Sequence, residues 1–185
     1  MVVAGVGERV ADWDLAIDAR LSGHRHGRVD DLAHLLASSA DRSKIWMVLA
    51  ALRAAVDRRD GSRAAVRALC VVAAESAVVH SLVKPLFRRG RPDSELELRF
   101  GARRPPSSSF PSGHAASATT AAILLADGQR GWGAPLGLIA AGICWSRVQT
   151  GLHHGSDVAG GMLIGTGVGL CVKRVIPLHS ERAND

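Results

Sequence analysis

Three short polar clusters interrupt an otherwise apolar stretch of this chain, and they hold the residue types that phosphate chemistry needs. The first runs from Lys84 to Pro92 and carries Lys84, Arg88, Arg89 and Arg91. The second is Pro111-Ser112-Gly113-His114, and the third is Ser146-Arg147 followed by His153 and Asp157. Arg offers a planar fork to phosphate oxygens and Lys a point charge. Two imidazoles and a carboxylate complete a set that could bind a phosphoryl group, attack it and protonate what leaves.

The second cluster reads as a helix start. Pro favours that position, and an apolar run follows from Ala115. Unpaired N–H groups and the helix dipole there form an anion site. Gly113 would let a ligand approach the backbone, Ser112 could add a hydrogen bond, and His114 would stand beside the bound anion. Taken alone, the tetrapeptide is equally well a simple cap.

In the third cluster His153 and Asp157 are four residues apart, so on a helix they share a face. A carboxylate on one imidazole nitrogen fixes the tautomer and frees the other nitrogen to attack. The same spacing continues through Gly161, Gly165 and Gly169, a small-residue stripe that lets helices approach closely in lipid. Arg147 lies near enough to reach the same anion. His154 points about 100° away on a helix beginning there and reads as structural.

In the first cluster Lys84 closes an apolar segment, and Pro85 should end or kink the helix. Arg91 precedes Pro92 and is biased to an extended conformation. Arg88 and Arg89 read as surface or headgroup contacts. As a lone basic run, the stretch would be a solvated juxtamembrane loop.

The elements that must position these clusters are helical. Five apolar segments run over roughly 44–57, 64–83, 113–126, 134–150 and 156–172. None is a clean run of eighteen uncharged residues, and mean hydropathy is only +0.11. Even so, their Ala, Gly, Val and Leu content and short charged loops predict membrane spans rather than a soluble bundle, with interior charges facing the bundle or an interface. Val10, Trp13, Ile17 and Leu21 predict an amphipathic helix before them, and Leu32, Leu35 and Leu36 a second. Packing on the rest of the chain and direct lipid contact are both open to these two helices. The basic break Ser22–Gly27 separates them. Residues 103–110, rich in Pro and Ser, read as a loop.

The predicted organisation is an all-α integral membrane bundle of about five transmembrane helices. Residues 1–43 form an N-terminal amphipathic segment, 44–173 the embedded domain and 174–185 a polar tail. The 185 residues suit one domain. A pI near 10.2 allows nucleic acid, an anionic membrane or an anionic substrate. With 4% aromatics, no Tyr and no nucleic-acid-binding motif, nucleic acid is not expected as a partner. Cys70, Cys144 and Cys171 lie in apolar runs and read as small buried hydrophobes, not as a disulfide or metal set. The first residues carry no signal-peptide pattern.

The joint order of the clusters resembles the type 2 phosphatidic acid phosphatase family, whose pattern is Lys-x6-Arg-Pro, Pro-Ser-Gly-His and Ser-Arg-x5-His-x3-Asp. All three occur here without mismatch, within residues 64–172. The resemblance implies that His153 is the nucleophile of a phosphohistidine intermediate, oriented by Asp157. His114 would be the general acid and then the base. Lys84, Arg91, Ser112, Gly113 and Arg147 would hold the phosphoryl oxygens. No metal or other cofactor is implied. One departure is His154, where the family often has Tyr.

The implied function is a metal-independent membrane phosphatase acting on a lipid phosphate: a polyprenyl phosphate or pyrophosphate, a polyprenyl-phosphoryl sugar phosphate, phosphatidate or phosphatidylglycerophosphate. The alternative is a soluble acid phosphatase or vanadate-dependent haloperoxidase of the same superfamily. Expected partners are the lipid substrate and membrane lipids; oligomeric state is open. The expected location is multi-pass in a cell membrane, of bacterial inner-membrane type. Of the 23 Lys and Arg, 14 lie on the site-bearing side, which leans weakly toward a cytoplasmic site.

Overall fold

A computed structural model describes residues 2–22, 27–92 and 106–178. Every regular element among them is helical. The helices are α1 Val2–Ser22, α2 Arg28–Ala40, α3 Lys44–Val56, α4 Gly61–Val78, α5 Gly113–Ala126, α6 Gly133–Gln149 and α7 Gly155–Val175. A short 3₁₀ turn, Asp41–Ser43, joins α2 to α3. Each of the five predicted apolar segments is thus one helix, α3 to α7. The basic break at 23–26, most of the 93–110 loop and the tail beyond 178 lie outside the described residues.

Two stretches, Gly61–Leu86 and Gly155–Val175, are long and apolar enough to cross a membrane. The 14-residue α5 spans only about 21 Å at 1.5 Å per residue, short of a hydrocarbon core. Its residues are almost all buried, so it is the central helix of the bundle, packed by α4, α6 and α7.

The glycine stripe explains the tightest contact. Gly161, Gly165 and Gly169 are all buried on one face of α7. A Cβ at Gly161 would collide with the Ser112 carbonyl, one at Gly165 with the Ala116 carbonyl, and one at Gly169 would come within 3.0 Å of Ile123. Backbone therefore rides on backbone along α5. The rest of the core is Trp46, Leu124, Leu125, Leu136, Ile143 and a large set of alanines.

Several charges inside the helical segments face the bundle. Glu75 of α4 is buried and meets the Thr120 hydroxyl of α5 at 2.8 Å. Arg53, fully buried, donates to the Leu125 carbonyl and pairs with Asp57. Arg67 pairs with Asp127 at 2.6 Å, and Lys173 meets the same carboxylate at 3.2 Å. The Asp127 ion pairs tie the ends of α5 and α7 to the first half of α4, and Arg53 ties the end of α3 to the end of α5, at the end of the bundle away from the three polar clusters.

In α2 the buried face is Asp30, Ala33, Ala37 and Ala40, while Leu32 and Leu35 are exposed: small residues let α2 lie close against α6. One expectation needs correction: of the cysteines only Cys144 is buried; Cys70 and Cys171 project from the outer surfaces of α4 and α7.

Candidate active site

The three polar clusters converge at one end of the bundle: after α4, before α5 and between α6 and α7. Pro85 has no N–H to give the Ser81 carbonyl, and its ring crowds that turn. The helix accordingly widens into a π turn at Val79–Val83 and tightens into a 3₁₀ turn at Lys84–Leu86. The irregularity directs Lys84 inward. It is 3% exposed, and its ammonium donates to the Ser108 carbonyl at 2.9 Å. The extended segment that follows carries Arg91 to the loop before α7. There Arg91 Nη1 donates to the Leu152 carbonyl at 2.7 Å and lies 3.3 Å from His153 Nε2.

His153 is buried, but it is not on the helix. α7 begins at Gly155 with His154 as its cap, and His153 sits in the preceding turn, its N–H bonded to the Arg147 carbonyl. The four-residue spacing to Asp157 is therefore bridged by a loop and a cap, not by one helical face. The outcome is similar: Asp157 Oδ2 stands 3.6 Å from His153 Nδ1 and accepts the His154 N–H at 2.9 Å. Guanidinium groups only donate, so the His153 nitrogen facing Arg91 is the one with a lone pair. The ring proton then belongs on Nδ1, facing the carboxylate. Burial pushes His153 down to about 4; Asp157 pulls upward, while Arg91 and Lys84 push further down. The imidazole is neutral at pH 7, as a nucleophile requires.

Ser112 caps α5, its hydroxyl accepting the Ala115 N–H at 3.4 Å. Its own N–H donates to the Asp157 backbone carbonyl at 2.9 Å, which fixes the start of α5 to the start of α7. The space beside Gly113 is taken by a side chain: a Cβ there would lie 3.0 Å from His80 Cε1. His114, on the next residue, directs Nε2 to Asp41 Oδ1 at 3.4 Å. Arg147 meets the same carboxylate oxygen at 3.8 Å and donates to the Ala37 carbonyl; its Nε is buried with no hydrogen-bond partner among the described residues. The His114 ring, helped by Arg147 and Lys44, holds the Asp41 carboxyl below its ordinary range against the opposing effect of burial.

A cavity of about 540 Å³ opens onto Lys84, Arg88, Arg89, Arg91 and Ser107. A smaller one, about 210 Å³, is lined by Gly113, His114, Ser43 and Trp46. His80 borders both. Among the described residues no group of three or more His, Cys, Asp or Glu is placed to hold a metal ion.

Sequence reasoning missed four neighbours of this site. Arg89, expected at the surface, instead bonds Asp157 Oδ1 at 2.8 Å and pairs with Asp14. Asp14, Asp41 and His80 come from elements with no motif of their own. His80 alone left a local trace, four residues before Lys84 and so one turn from it on the helix. His154 keeps its structural reading: its Nδ1 lies 3.2 Å from Asp18 of α1.

The pattern of the PAP2 superfamily matches residues 65–180. A decaprenylphosphoryl-5-phosphoribose phosphatase of Mycobacterium tuberculosis (strain H37Rv) is 39% identical over 135 residues, 70% of this chain and 71% of that one. One of the same description from Mycolicibacterium smegmatis is 36% identical over 148 residues, covering 80% and 78%. Among solved structures, a transmembrane PAP2-type phosphatidylglycerolphosphate phosphatase from Bacillus subtilis superposes with a TM-score of 0.67 at 25% identity, over 90% of this chain and 85% of that one. Aquifex aeolicus LpxE gives 0.68 at 27% identity, over 86% and 94%. The chain thus belongs to the PAP2 superfamily as one of its phosphatases.

Proposed function

We propose that this chain is a multi-pass membrane phosphatase that removes the terminal phosphate from a phosphosugar carried on a polyprenyl phosphate, by way of a phosphohistidine on His153. The observation that carries the chemistry is the His153 ring between Arg91 on its Nε2 side and Asp157 on its Nδ1 side. A phosphate monoester dianion is a far better partner for the guanidinium than a neutral imidazole. Its arrival would draw Arg91 onto the phosphoryl oxygens and release the Nε2 lone pair.

Nε2 then attacks phosphorus, the P–O bond to the sugar breaks, and its electron pair leaves on the sugar oxygen. His114 gives that oxygen a proton. Asp157 stabilises the positive charge that the imidazole gains. Lys84, Arg91, Arg147 and the N–H groups at the start of α5 neutralise charge developing on the phosphoryl oxygens. In the second half His114 takes a proton from water, which attacks phosphorus and frees His153 and phosphate.

The substrate class follows the two mycobacterial relatives, whose names specify a decaprenyl-linked phosphoribose. In this reading α3 to α7 are the five membrane segments; the short α5 is enclosed by its neighbours, while α3 turns Met47, Val48 and Leu52 outward. Purified protein in EDTA, assayed against a panel of lipid phosphates, tests it. The expected order places the polyprenyl-phosphoryl phosphosugar first in kcat/KM. A preference for phosphatidylglycerophosphate or phosphatidate would overturn the substrate, and no phosphate release from any of them would overturn the activity.

A further inference from the structure

Helix α1 does not lie loosely beside the bundle. It docks on the start of α7, where Gly155 makes room: a Cβ there would come 2.9 Å from Ile17 Cδ1 and 3.2 Å from the Trp13 ring. Ile17 and Leu21 pack against the small core of Ala115, Cys144, Val148 and Val158. On the same face of α1, one turn apart, are two carboxylates. Asp18 meets His154, and Asp14 reaches deeper, being only 2% exposed.

Asp14 is fully engaged. Its Oδ1 accepts the Ser156 N–H at 2.9 Å, so it closes an open backbone donor at the start of α7 from another helix. Its Oδ2 accepts the Ser156 hydroxyl at 2.6 Å and pairs with Arg89 Nη2. The other fork of Arg89, Nη1, reaches Ser156 Oγ at 2.5 Å and Asp157 Oδ1 at 2.8 Å. Asp157 in turn presents Oδ2 to His153. Each carboxylate oxygen of Asp157 is therefore engaged, Oδ1 by Arg89 and Oδ2 by the His154 N–H, with the His153 ring facing Oδ2 at 3.6 Å.

From this chain of contacts we infer that Asp14 is a positioning residue for the His153–Asp157 pair, and that α1 is a working part of the active site. The inference rests on the proposed role of His153. The physical reason is orientation. Arg89 lies between two buried carboxylates, and without Asp14 its guanidinium loses the partner that holds one fork in place. The fork on Asp157 is then free to turn, and Asp157 with it. Attack by Nε2 requires the ring to be held within a narrow angular range, so the loss falls on the rate of phosphoryl transfer. Lys84 and Arg91, which hold the phosphate itself, are anchored on the Ser108 and Leu152 carbonyls, so KM should change little.

The test is single-turnover quench-flow with radiolabelled farnesyl phosphate, reading both the rate constant of phosphoenzyme formation and its amplitude. Asp14→Asn preserves shape and removes the charge. It should slow phosphoenzyme formation by about 10-fold or more, as loss of supporting partners commonly does, with the amplitude retained and KM within about 2-fold. Arg89→Gln should slow the same step. The double variant should be no slower than the worse single one, because the two act in one chain.

A purely architectural role for α1 would lower the amplitude and the melting temperature but leave the rate constant of the surviving enzyme alone, and that result would overturn the inference. Additive losses in the double variant would also overturn it. Should Asp14→Asn fail to fold, Arg89→Gln at full rate would suffice to reject it. His153→Ala run in parallel separates the two levels. Phosphoenzyme in that variant would sink the nucleophile assignment together with this inference; an inert His153→Ala beside a full-speed Asp14→Asn would sink this inference alone.

Discussion

Arg91 and Asp157 hold His153 from opposite sides: the guanidinium is 3.3 Å from Nε2 and the carboxylate 3.6 Å from Nδ1. One neighbour can only donate and the other, when ionised, can only accept, so together they select a single tautomer. A polarised ring in a buried loop is a specific arrangement, and its consequences can be measured.

Replacing the histidines should give graded losses. His153→Ala should reduce kcat by at least about 10⁴-fold, as removal of a nucleophile does. His114→Ala removes an acid and base and should cost about 10²- to 10⁴-fold. His154→Ala leaves the reacting groups in place, loses the Asp18 contact and should stay within about 10-fold of the unmodified protein. A loss at His154 equal to that at His153 would mean that the other imidazole reacts.

The pH profile should show the nucleophile on its acid side. With His153 near 4, protonation of this ring should pull kcat/KM down only below about pH 5, while loss of the His114 proton, which the leaving group needs, sets the alkaline side. Stability has the same sign. A histidine depressed in the fold binds its proton more readily when the chain is unfolded, so unfolding gains ground as pH drops from about 6.5 through 4. His153→Gln should flatten that part of the curve of melting temperature against pH.

Asp41 holds the ring of His114 and the head of Arg147 together, at 3.4 and 3.8 Å. Asp41→Ala frees both. Activity should fall by about 10-fold or more, with a larger share in kcat than in KM, since an acid out of position slows departure of the leaving group. An unchanged kcat in steady-state assays would show that His114 is oriented by other means.

Vanadate should inhibit in the micromolar range by taking the place of the five-coordinate phosphoryl group, as transition-state mimics do. Arg91→Lys, which keeps the charge but loses the fork, should weaken that inhibition. Inhibition curves that superpose would remove Arg91 from phosphate binding. Turnover should persist in excess EDTA, and loss reversible by a divalent ion would contradict the cation-based site.

Gly165→Ala should destabilise the bundle by about 1–3 kcal/mol, the usual cost of overpacking, because the added methyl meets the Ala116 carbonyl. Gly137→Ala, open on every side, should be neutral or slightly stabilising. Thermal unfolding in detergent reads both.

Local pattern carried the helices well. Apolar runs bounded by charged turns became α3 to α7, and the stripe of Gly161, Gly165 and Gly169 marked the packed face of α7. It carried less well where backbone irregularity intervened. The His153–Asp157 spacing suggested one helical face, but Gly155 starts the helix, and a cap does the bridging. The contacts of Arg89 with Asp14 and of His114 with Asp41 span 75 and 73 positions. Such pairs follow from which helix ends meet in space, and no spacing rule along the chain contains that. Leu32 and Leu35 left core packing and lipid contact both open, and Ala33 and Ala37, which let α2 come closer to α6, are what turn the leucines outward.

Where α5 meets α7 the main chains touch, with the carbonyls of Ser112 and Ala116 filling the hollows over Gly161 and Gly165. A hydrocarbon tail has no passage through that seam. The long tail of any bound lipid must trail out along another flank, and Leu82 and Leu86, bare on either side of Lys84, mark the greasy rim open to it.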